Sequence, residues 1–119
     1  MKKKYSRVLL KLSGEALSGG EKGILSDTML KNVAEKVVLL VKSGIQVSIV
    51  IGAGNIWRGA RQNGLSVDRV RGDHMGMLAT LINSLAMQDY IIAAGADARV
   101  MSAVRIQQFC ETYSQYKAI

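Results

Sequence analysis

The chain has 119 residues, 49% of them hydrophobic and 21% charged, which predicts one globular domain and excludes a disordered chain. Its one cysteine excludes a disulfide framework or a multi-cysteine zinc site and favours a reducing compartment, the cytoplasm. The net charge of +7 indicates an anionic partner, but the scattered basic residues argue against nucleic acid, and no apolar run reaches the roughly 18 residues that a membrane span needs.

The first elements in the chain are a predicted strand, a glycine-rich loop and a helix. Branched apolar residues predict a strand over Arg7–Leu12. Residues 13–23 contain four glycines and predict a loop with at most one helical turn. Ser26 or Asp27 then begins a helix, because the apolar residues that follow recur at helical spacing until Gly44.

A second strand and a second glycine-rich loop precede the longest predicted helix. Residues 45–51 are nearly all apolar in their second half, which predicts a strand covered on both faces. Residues 52–59 contain three glycines and predict a loop directly after that strand. Asp73 is predicted to begin a long helix that ends at Gly95.

The last part of the chain predicts two further strands and the start of a helix. The strands are predicted over residues 99–103 and 106–110, and the helix from Tyr113 onward. The alternation of strands and helices predicts an α/β protein with a mainly parallel sheet. Because the chain ends inside a predicted helix without a stop signal, we expect it to be truncated.

The end of the first strand carries a possible phosphate-binding group. Lys11 is followed by Ser13 and Gly14, where the backbone can approach a ligand closely. A lysine beside exposed amide groups supplies the cation and the donors that a triphosphate requires. The alternative is that Lys11 is only a surface charge at a strand end.

The second loop is a stronger candidate for binding phosphate. Three glycines and Arg58 follow a predicted buried strand within eight residues, and ligands of parallel α/β sheets bind at the carboxyl ends of strands. The loop is not a dinucleotide fingerprint, because Trp57 stands where the third glycine would be. The alternative interpretation is a tight turn with a solvated Arg58.

Asp73 and His74 stand at the predicted start of the long helix. Asp73 is interpreted either as the helix N-cap or as a carboxylate that accepts hydrogen bonds from a ribose. His74 is the only histidine in the chain, and its expected role is that of an exposed residue at the start of a helix. Triad chemistry is not expected, because no nucleophile and carboxylate accompany it.

Four segments of the chain form a pattern of motifs in a fixed order. They are Lys-Leu-Ser-Gly-Glu-Ala-Leu from Lys11, Gly-x-Gly-Asn-x-x-Arg-Gly from Gly52, Gly-Asp-His-Met-Gly-Met-Leu-Ala-Thr from Gly72, and Ala-Arg-x-Met-Ser-Ala from Ala98. Together they resemble the bacterial uridylate kinase (UMP kinase) family, which has the amino acid kinase fold. The Gly-Asp-His-Met-Gly-Met run is the most diagnostic of the four.

The resemblance implies a reaction, ATP + UMP giving ADP + UDP with Mg²⁺, and a role for individual residues. Lys11, Leu12, Ser13 and Gly14 would contact the ATP phosphates, and so would Gly54 and Arg58. Lys11 and Arg58 would be the catalytic residues. Ala53 and Asp73 would bind UMP, although the family usually has a glycine at the position of Ala53. No metal ligand is assigned within this chain.

The resemblance also implies a fold, an assembly and a form of regulation. The fold would be α/β with three layers and a mainly parallel central sheet. Because the family is about twice as long, residues 1–119 would be its N-terminal, UMP-acceptor-side part and inactive alone. Family members are cytoplasmic homohexamers, and their GTP effector site would correspond here to Gly19, Gly20, Gly23 and Arg99. The competing hypothesis is a truncated, non-catalytic module that binds a nucleotide or phosphate.

Overall fold

Two strands with apolar side chains, β1 (Arg7–Leu12) and β2 (Gln46–Ile51), pair in parallel along their whole length. The computed structural model describes residues 5–18, 24–57, 66–102, 106 and 111–114. The other elements in chain order are α1 (Glu15–Ser18), α2 (Asp27–Lys42), α3 (Arg69–Ala93), β3 (Met101–Ser102) and β4 (Glu111–Thr112). β3 and β4 form a second parallel pair, so the described residues have a mixed α/β structure with parallel strands.

Helix α2 begins and ends where the sequence predicted. The Ser26 hydroxyl accepts a hydrogen bond from the Met29 N–H at 3.3 Å, which caps the first turn. The helix ends at Lys42, and Gly44 follows with a φ of 87°, a conformation that favours glycine. Its buried residues all lie on one face and are Leu30, Ala34, Val37 and Val38.

Helix α3 begins four residues earlier than predicted. Asp68 is the N-cap, and its side chain accepts from the Val70 N–H at 3.2 Å. Asp73 therefore lies in the second turn, so the prediction that it begins the helix is wrong. The reason is that Gly72, which looks like a helix breaker in the sequence, is accommodated inside the helix.

One face of the β1–β2 sheet is buried and the other is open. Side chains of both strands pack with α2 and α3 into one cluster that includes Leu17, Ile51 and Met87. On the opposite face, Leu9 is 64% exposed and Val50 is 52% exposed. Among the described residues, α2 and α3 pack on the same face of this sheet. The expectation that residues 45–51 are covered on both faces is therefore wrong for the described residues.

The two strands predicted near the carboxyl end are described only in part. β3 comprises Met101–Ser102 without Arg99 and Val100, and Ala103, the last residue predicted for this strand, lies outside the described residues. Most of the fourth predicted strand, residues 107–110, lies outside the described residues, and β4 begins just after it. Tyr113 and Ser114 are not helical, so the predicted helix does not begin there. Within the described ranges, no helix combines the length and the apolar composition needed to cross a membrane.

Candidate functional site

The carboxyl ends of β1 and β2 lie side by side, because the two strands are neighbours in a parallel sheet. Leu12 at the end of β1 pairs with Ile51 at the end of β2. The Gly52 N–H donates to the Leu12 carbonyl at 2.8 Å and extends the pairing by one residue. The two glycine-rich loops therefore leave the sheet at the same edge, where parallel α/β sheets bind their ligands.

The two loops touch through their backbones at Gly14. A Cβ atom on Gly14 would lie 2.6 Å from the Gly54 nitrogen and 2.9 Å from the Ala53 carbonyl carbon, so a side chain does not fit. A Cβ atom on Gly54 would lie 2.7 Å from the carboxyl carbon of Glu15. The structure thus brings together three of the predicted site residues, Gly14, Ala53 and Gly54.

The first loop is fixed by hydrogen bonds to the short helix α1. The Ala16 N–H donates to the Ser13 carbonyl at 3.1 Å and to the Ser13 hydroxyl at 3.3 Å. The Leu17 N–H donates to the Gly14 carbonyl at 3.0 Å. Leu17 is fully buried, so these bonds connect the loop to the hydrophobic core.

Lys11 and Leu12 lie on opposite faces of β1, as alternate residues of a strand do. Leu12 is half-buried and packs against the core. Lys11 is exposed on the open face, where its register partner is Val50. Lys11 is the penultimate residue of β1, next to the edge at which the loops leave the sheet.

The second loop contacts helix α3 through Trp57. The loop turns at Ala53, whose carbonyl accepts from the Ile56 N–H at 2.9 Å and from the Trp57 N–H at 2.8 Å. The Trp57 indole lies against a stretch of α3 where two glycines, Gly72 and Gly76, leave space. Asp73 lies between these glycines and is exposed. Trp57 therefore connects the second loop, which contains Ala53, to the part of α3 that contains Asp73, and these are the two residues predicted to bind UMP.

Sequence reasoning missed Asn83, which is fully buried on α3. Its Nδ2 donates to the Gly52 carbonyl at 2.8 Å and to Asn55 Oδ1 at 2.8 Å. Asn55 Nδ2 donates in return to Asn83 Oδ1 at 3.1 Å and also to the Ile24 carbonyl at 2.7 Å. The signal in the sequence is an amide, one of two in this long helix, among mostly apolar neighbours, and it does not reveal which loop it meets.

Several predicted residues lie outside the described part of the chain. They are Gly19, Gly20 and Gly23 of the first loop and Arg58 of the second. Among the residues that the structure does describe, no group of three or more His, Cys, Asp or Glu side chains is placed to hold a metal ion. The described residues therefore do not form the protein ligands of a magnesium site by themselves.

Arg99, predicted to belong to an effector site, is paired with Glu111 of β4. Its Nε donates to Glu111 Oε2 at 2.6 Å, and its Nη2 donates to Glu111 Oε1. The hydrogen bond to Glu111 raises the pKa of Arg99 above its usual range. The pair links the segment just before β3 to β4, so Arg99 has a structural role. Its role toward an effector stays a prediction.

Comparison of the sequence with protein families gives a match over nearly the whole chain. The model of the amino acid kinase family matches residues 6–118. The chain is 49% identical over 118 residues to the uridylate kinase of Dichelobacter nodosus, covering 99% of this chain and 49% of that protein. It is 50% identical over 115 residues to the uridylate kinase of Methylococcus capsulatus, covering 97% of this chain and 48% of that protein.

Solved structures agree with the sequence comparison. The UMP kinase from Bacillus anthracis has a TM-score of 0.88 at 37% identity and matches 96% of this chain and 47% of its own. The UMP kinase from Ureaplasma parvum has a TM-score of 0.86 at 32% identity and matches 96% and 48%. The chain spans about half the length of the curated relatives it matches. By the match of the family model over residues 6–118, the chain belongs to the amino acid kinase family.

Proposed function

We propose that this chain is the N-terminal, acceptor-side part of a UMP kinase that transfers the γ-phosphoryl group of ATP to UMP and releases ADP and UDP. The observation that carries the proposal is the backbone contact of Gly14 with Ala53 and Gly54 at the carboxyl edge of a parallel sheet. The sequence is 49% and 50% identical to two uridylate kinases over nearly the whole chain, which supports the choice of reaction and of acceptor.

In this proposal the two loops position the phosphates of the donor and the acceptor. Ser13 and Gly14 would present backbone N–H groups to the ATP phosphates, because the absence of a side chain at Gly14 lets the backbone approach an anion. Leu12 and Gly54 would also contact these phosphates. Lys11 would stabilise the transferred phosphoryl group as a point charge. Phosphoryl transfer requires mainly positioning and neutralisation of charge, and these groups supply both.

Arg58 and Asp73 would complete the acceptor side. Arg58 directly follows Trp57, the residue that contacts α3, and would offer its guanidinium to phosphate as a planar pair of donors. Asp73 lies beside Gly72 on that stretch of α3, and its exposed carboxylate would accept hydrogen bonds from the UMP ribose. Ala53 would contact UMP at a turn of the second loop.

Mg²⁺ would neutralise charge on the ATP phosphates, as phosphoryl transfer generally requires. The described residues do not form a metal centre by themselves. The three-layer arrangement around one central sheet, the location in the cytoplasm and regulation by GTP through Gly19, Gly20, Gly23 and Arg99 belong to the same proposal. Residues 1–119 alone are expected to be inactive, since they supply phosphate contacts without an adenine pocket.

A homo-oligomer, a hexamer by resemblance, is part of the proposal. Its support is a row of apolar side chains on the outer face of α3: Met75 is 39% exposed, Leu78 48% and Ile82 52%. These residues are spaced by three and four positions, so they form one stripe along the helix. An exposed apolar stripe of this kind is typical of a surface that a second copy of the chain covers.

The proposed function is tested with the natural protein that carries this sequence, by following ADP release with ATP and either UMP, CMP or dAMP. UMP is expected to be the preferred acceptor. Arg58→Ala is expected to lower kcat/KM for UMP at least tenfold, because it removes a charged, bidentate phosphate contact worth roughly 1.5–3 kcal/mol. The matched control is Arg7→Ala, at the far end of β1 from the loops.

Two results would count against the proposal. Full turnover by the Arg58→Ala variant would make Arg58 a solvated turn residue. Binding of ATP and UMP without transfer in the unmodified protein would favour the non-catalytic binding module instead.

A further inference from the structure

We propose that Asn83 is a positioning residue, which holds the second loop (residues 52–57) against the first through a reciprocal pair of amides with Asn55. This amide pair supports the candidate site at the carboxyl edge of the sheet, and its effect on catalysis rests on the proposed function. The hydrogen bonds of Asn83 go to Gly52 and Asn55, neither of which is assigned to ATP or UMP, so it acts through the second loop.

The first support is the complete use of the Asn83 amide in a dry environment. The side chain is fully buried, with 0% exposure. Both Nδ2 hydrogens are used, toward the Gly52 carbonyl at 2.8 Å and Asn55 Oδ1 at 2.8 Å, and Oδ1 accepts from Asn55 Nδ2 at 3.1 Å. A buried amide whose donors and acceptor are all matched fixes the relative position of its partners, because every displacement leaves a polar group unpaired.

The second support is the place at which Asn83 meets the loop. The hydrogen bond from the Gly52 N–H to the Leu12 carbonyl joins the start of the second loop to the end of β1. The Gly52 carbonyl lies just beyond this bond, and Asn83 supplies the donor that it receives. Gly52 is half-buried, and a backbone carbonyl shielded from water requires a partner, so Asn83 supplies a hydrogen bond beyond the end of the sheet.

The third support is that Asn55 borders three segments at once. Its Nδ2 donates to the Ile24 carbonyl at 2.7 Å, just before α2. Its Oδ1 occupies the space where a Cβ of Gly14 would be, so the side chain packs against the first loop as well. The amide pair therefore connects α3, both glycine-rich loops and the segment that leads into α2.

The fourth support is a second attachment of the same loop to the same helix. Trp57 lies against Gly76, where an added Cβ would approach the indole Cδ1 to 3.3 Å. Gly76 and Asn83 are seven residues apart, which places them on the same face of α3, about 10 Å apart along its axis. Helix α3 thus holds the loop at both ends, and Arg58 follows directly after the second attachment.

The test uses the natural protein with Asn83→Leu, which keeps the volume of the side chain and removes its hydrogen bonds. The matched control is Ile91→Ala, a buried core residue eight positions further along α3. Hydrogen exchange of the Ile56 and Trp57 amides, both bonded to the Ala53 carbonyl, reports the order of the loop without any need for activity. We expect at least tenfold faster exchange in Asn83→Leu and less than a twofold change in the control.

Steady-state kinetics separate positioning from general stability. In Asn83→Leu we expect kcat with UMP to fall at least tenfold while KM for ATP changes less than threefold, because the loop, not the rest of the donor site, is displaced. Asn55→Ala removes the partner amide, and Asn55 is less buried than Asn83. It replaces Asn83→Leu in both measurements if that variant does not fold. The double variant is expected to lose less than the sum of the two single variants, since both remove the hydrogen bonds between the two amides.

Each outcome decides one of the two proposals. Wild-type exchange at Ile56 and Trp57 in Asn83→Leu, or in Asn55→Ala where that variant replaces it, would overturn the role of the amide pair. Faster exchange with unchanged kcat in an active enzyme would overturn the consequence for catalysis. Faster exchange in a protein that does not phosphorylate UMP would support the amide pair and reject the proposed function.

Discussion

Helices α2 and α3 pack against each other in the same core and yet bury different kinds of side chain. The buried residues of α2 are aliphatic, from Leu30 to Val38. Those of α3 include a glycine and a fully buried amide: Gly72, Ala79, Leu81, Asn83, Met87 and Ile91. Both helices also expose large apolar side chains, Leu39 and Val41 in α2 and, among others, Leu78 and Ile82 in α3.

The difference follows from what each helix contacts. Helix α2 packs on the sheet and on α3, which a surface of aliphatic side chains satisfies. Helix α3 also contacts the second loop, whose carbonyl at Gly52 needs a donor and whose Trp57 needs space. Small and polar residues meet these needs, so the buried face of α3 includes a glycine and an amide, whereas the buried residues of α2 are all aliphatic.

The largest expected effect contrasts a buried leucine of α2 with an exposed leucine of α3. Leu30 is 2% exposed and Leu78 is 48% exposed. Leu30→Ala is expected to lower the free energy of unfolding by about 2–5 kcal/mol, since it leaves a cavity, and Leu78→Ala by about 0.5 kcal/mol in the monomer. Urea denaturation of both variants measures the two values.

The same pair of variants tests self-association when the denaturation is repeated at several protein concentrations. If a second copy covers the outer face of α3, the loss in Leu78→Ala grows with concentration, whereas the loss in Leu30→Ala does not. Equal losses for the two variants at low concentration would mean that α3 buries its apolar stripe within one chain.

A smaller effect separates the two aspartates at the start of α3. Asp68→Ala is expected to cost about 1 kcal/mol of unfolding free energy, because Asp68 caps the helix through the Val70 N–H. Asp73→Asn is expected to leave stability unchanged and to weaken UMP affinity, because Asp73 lies in the second turn and is exposed. Thermal denaturation and UMP titration of both variants distinguish the roles, and unchanged UMP affinity in Asp73→Asn would contradict the role of Asp73 toward the ribose.

The smallest expected effect concerns the hydrogen bond that joins the two helices at their surface. The Tyr90 hydroxyl donates to Asp27 Oδ1 at 2.6 Å, and this bond, with the Lys31 ion pair at 3.1 Å, lowers the pKa of Asp27. A lowered carboxyl pKa contributes stability above the usual pKa of aspartate and loses it as the pH falls through the lowered value. The Tyr90→Phe variant should therefore differ from the wild type near neutral pH and converge with it in acid.

The carboxyl carbon of Asp27, followed by NMR during a pH titration, measures this change directly. In Tyr90→Phe its pKa is expected to rise toward the usual value without reaching it, because Lys31 remains. Tyr113→Phe, at a residue that is 58% exposed, is the matched control. An Asp27 pKa that does not move would mean that Lys31 alone sets it.

Local signals were sufficient wherever one residue and its neighbours in the chain decide the structure. Ser26 and Gly44 marked the ends of α2, and the apolar run of β1 marked the strand, because capping and strand propensity act over a few residues. The same kind of signal placed the start of α3 at Asp73, which is wrong because Gly72 lies inside the helix. Which faces of residues 45–51 are covered could not be predicted, since the covering elements are distant in the sequence.

By itself the sequence determined that the chain is α/β, that two glycine-rich loops follow two strands, and that its motifs resemble those of uridylate kinases. Those features depend on the order of residues along the chain. Only the tertiary structure decided that Gly14 packs against Gly54 and that Asn83 holds Gly52 and Asn55. Both contacts join residues about 30 to 40 positions apart, and it is the parallel pairing of β1 with β2 and the packing of α3 that bring them within a few ångströms.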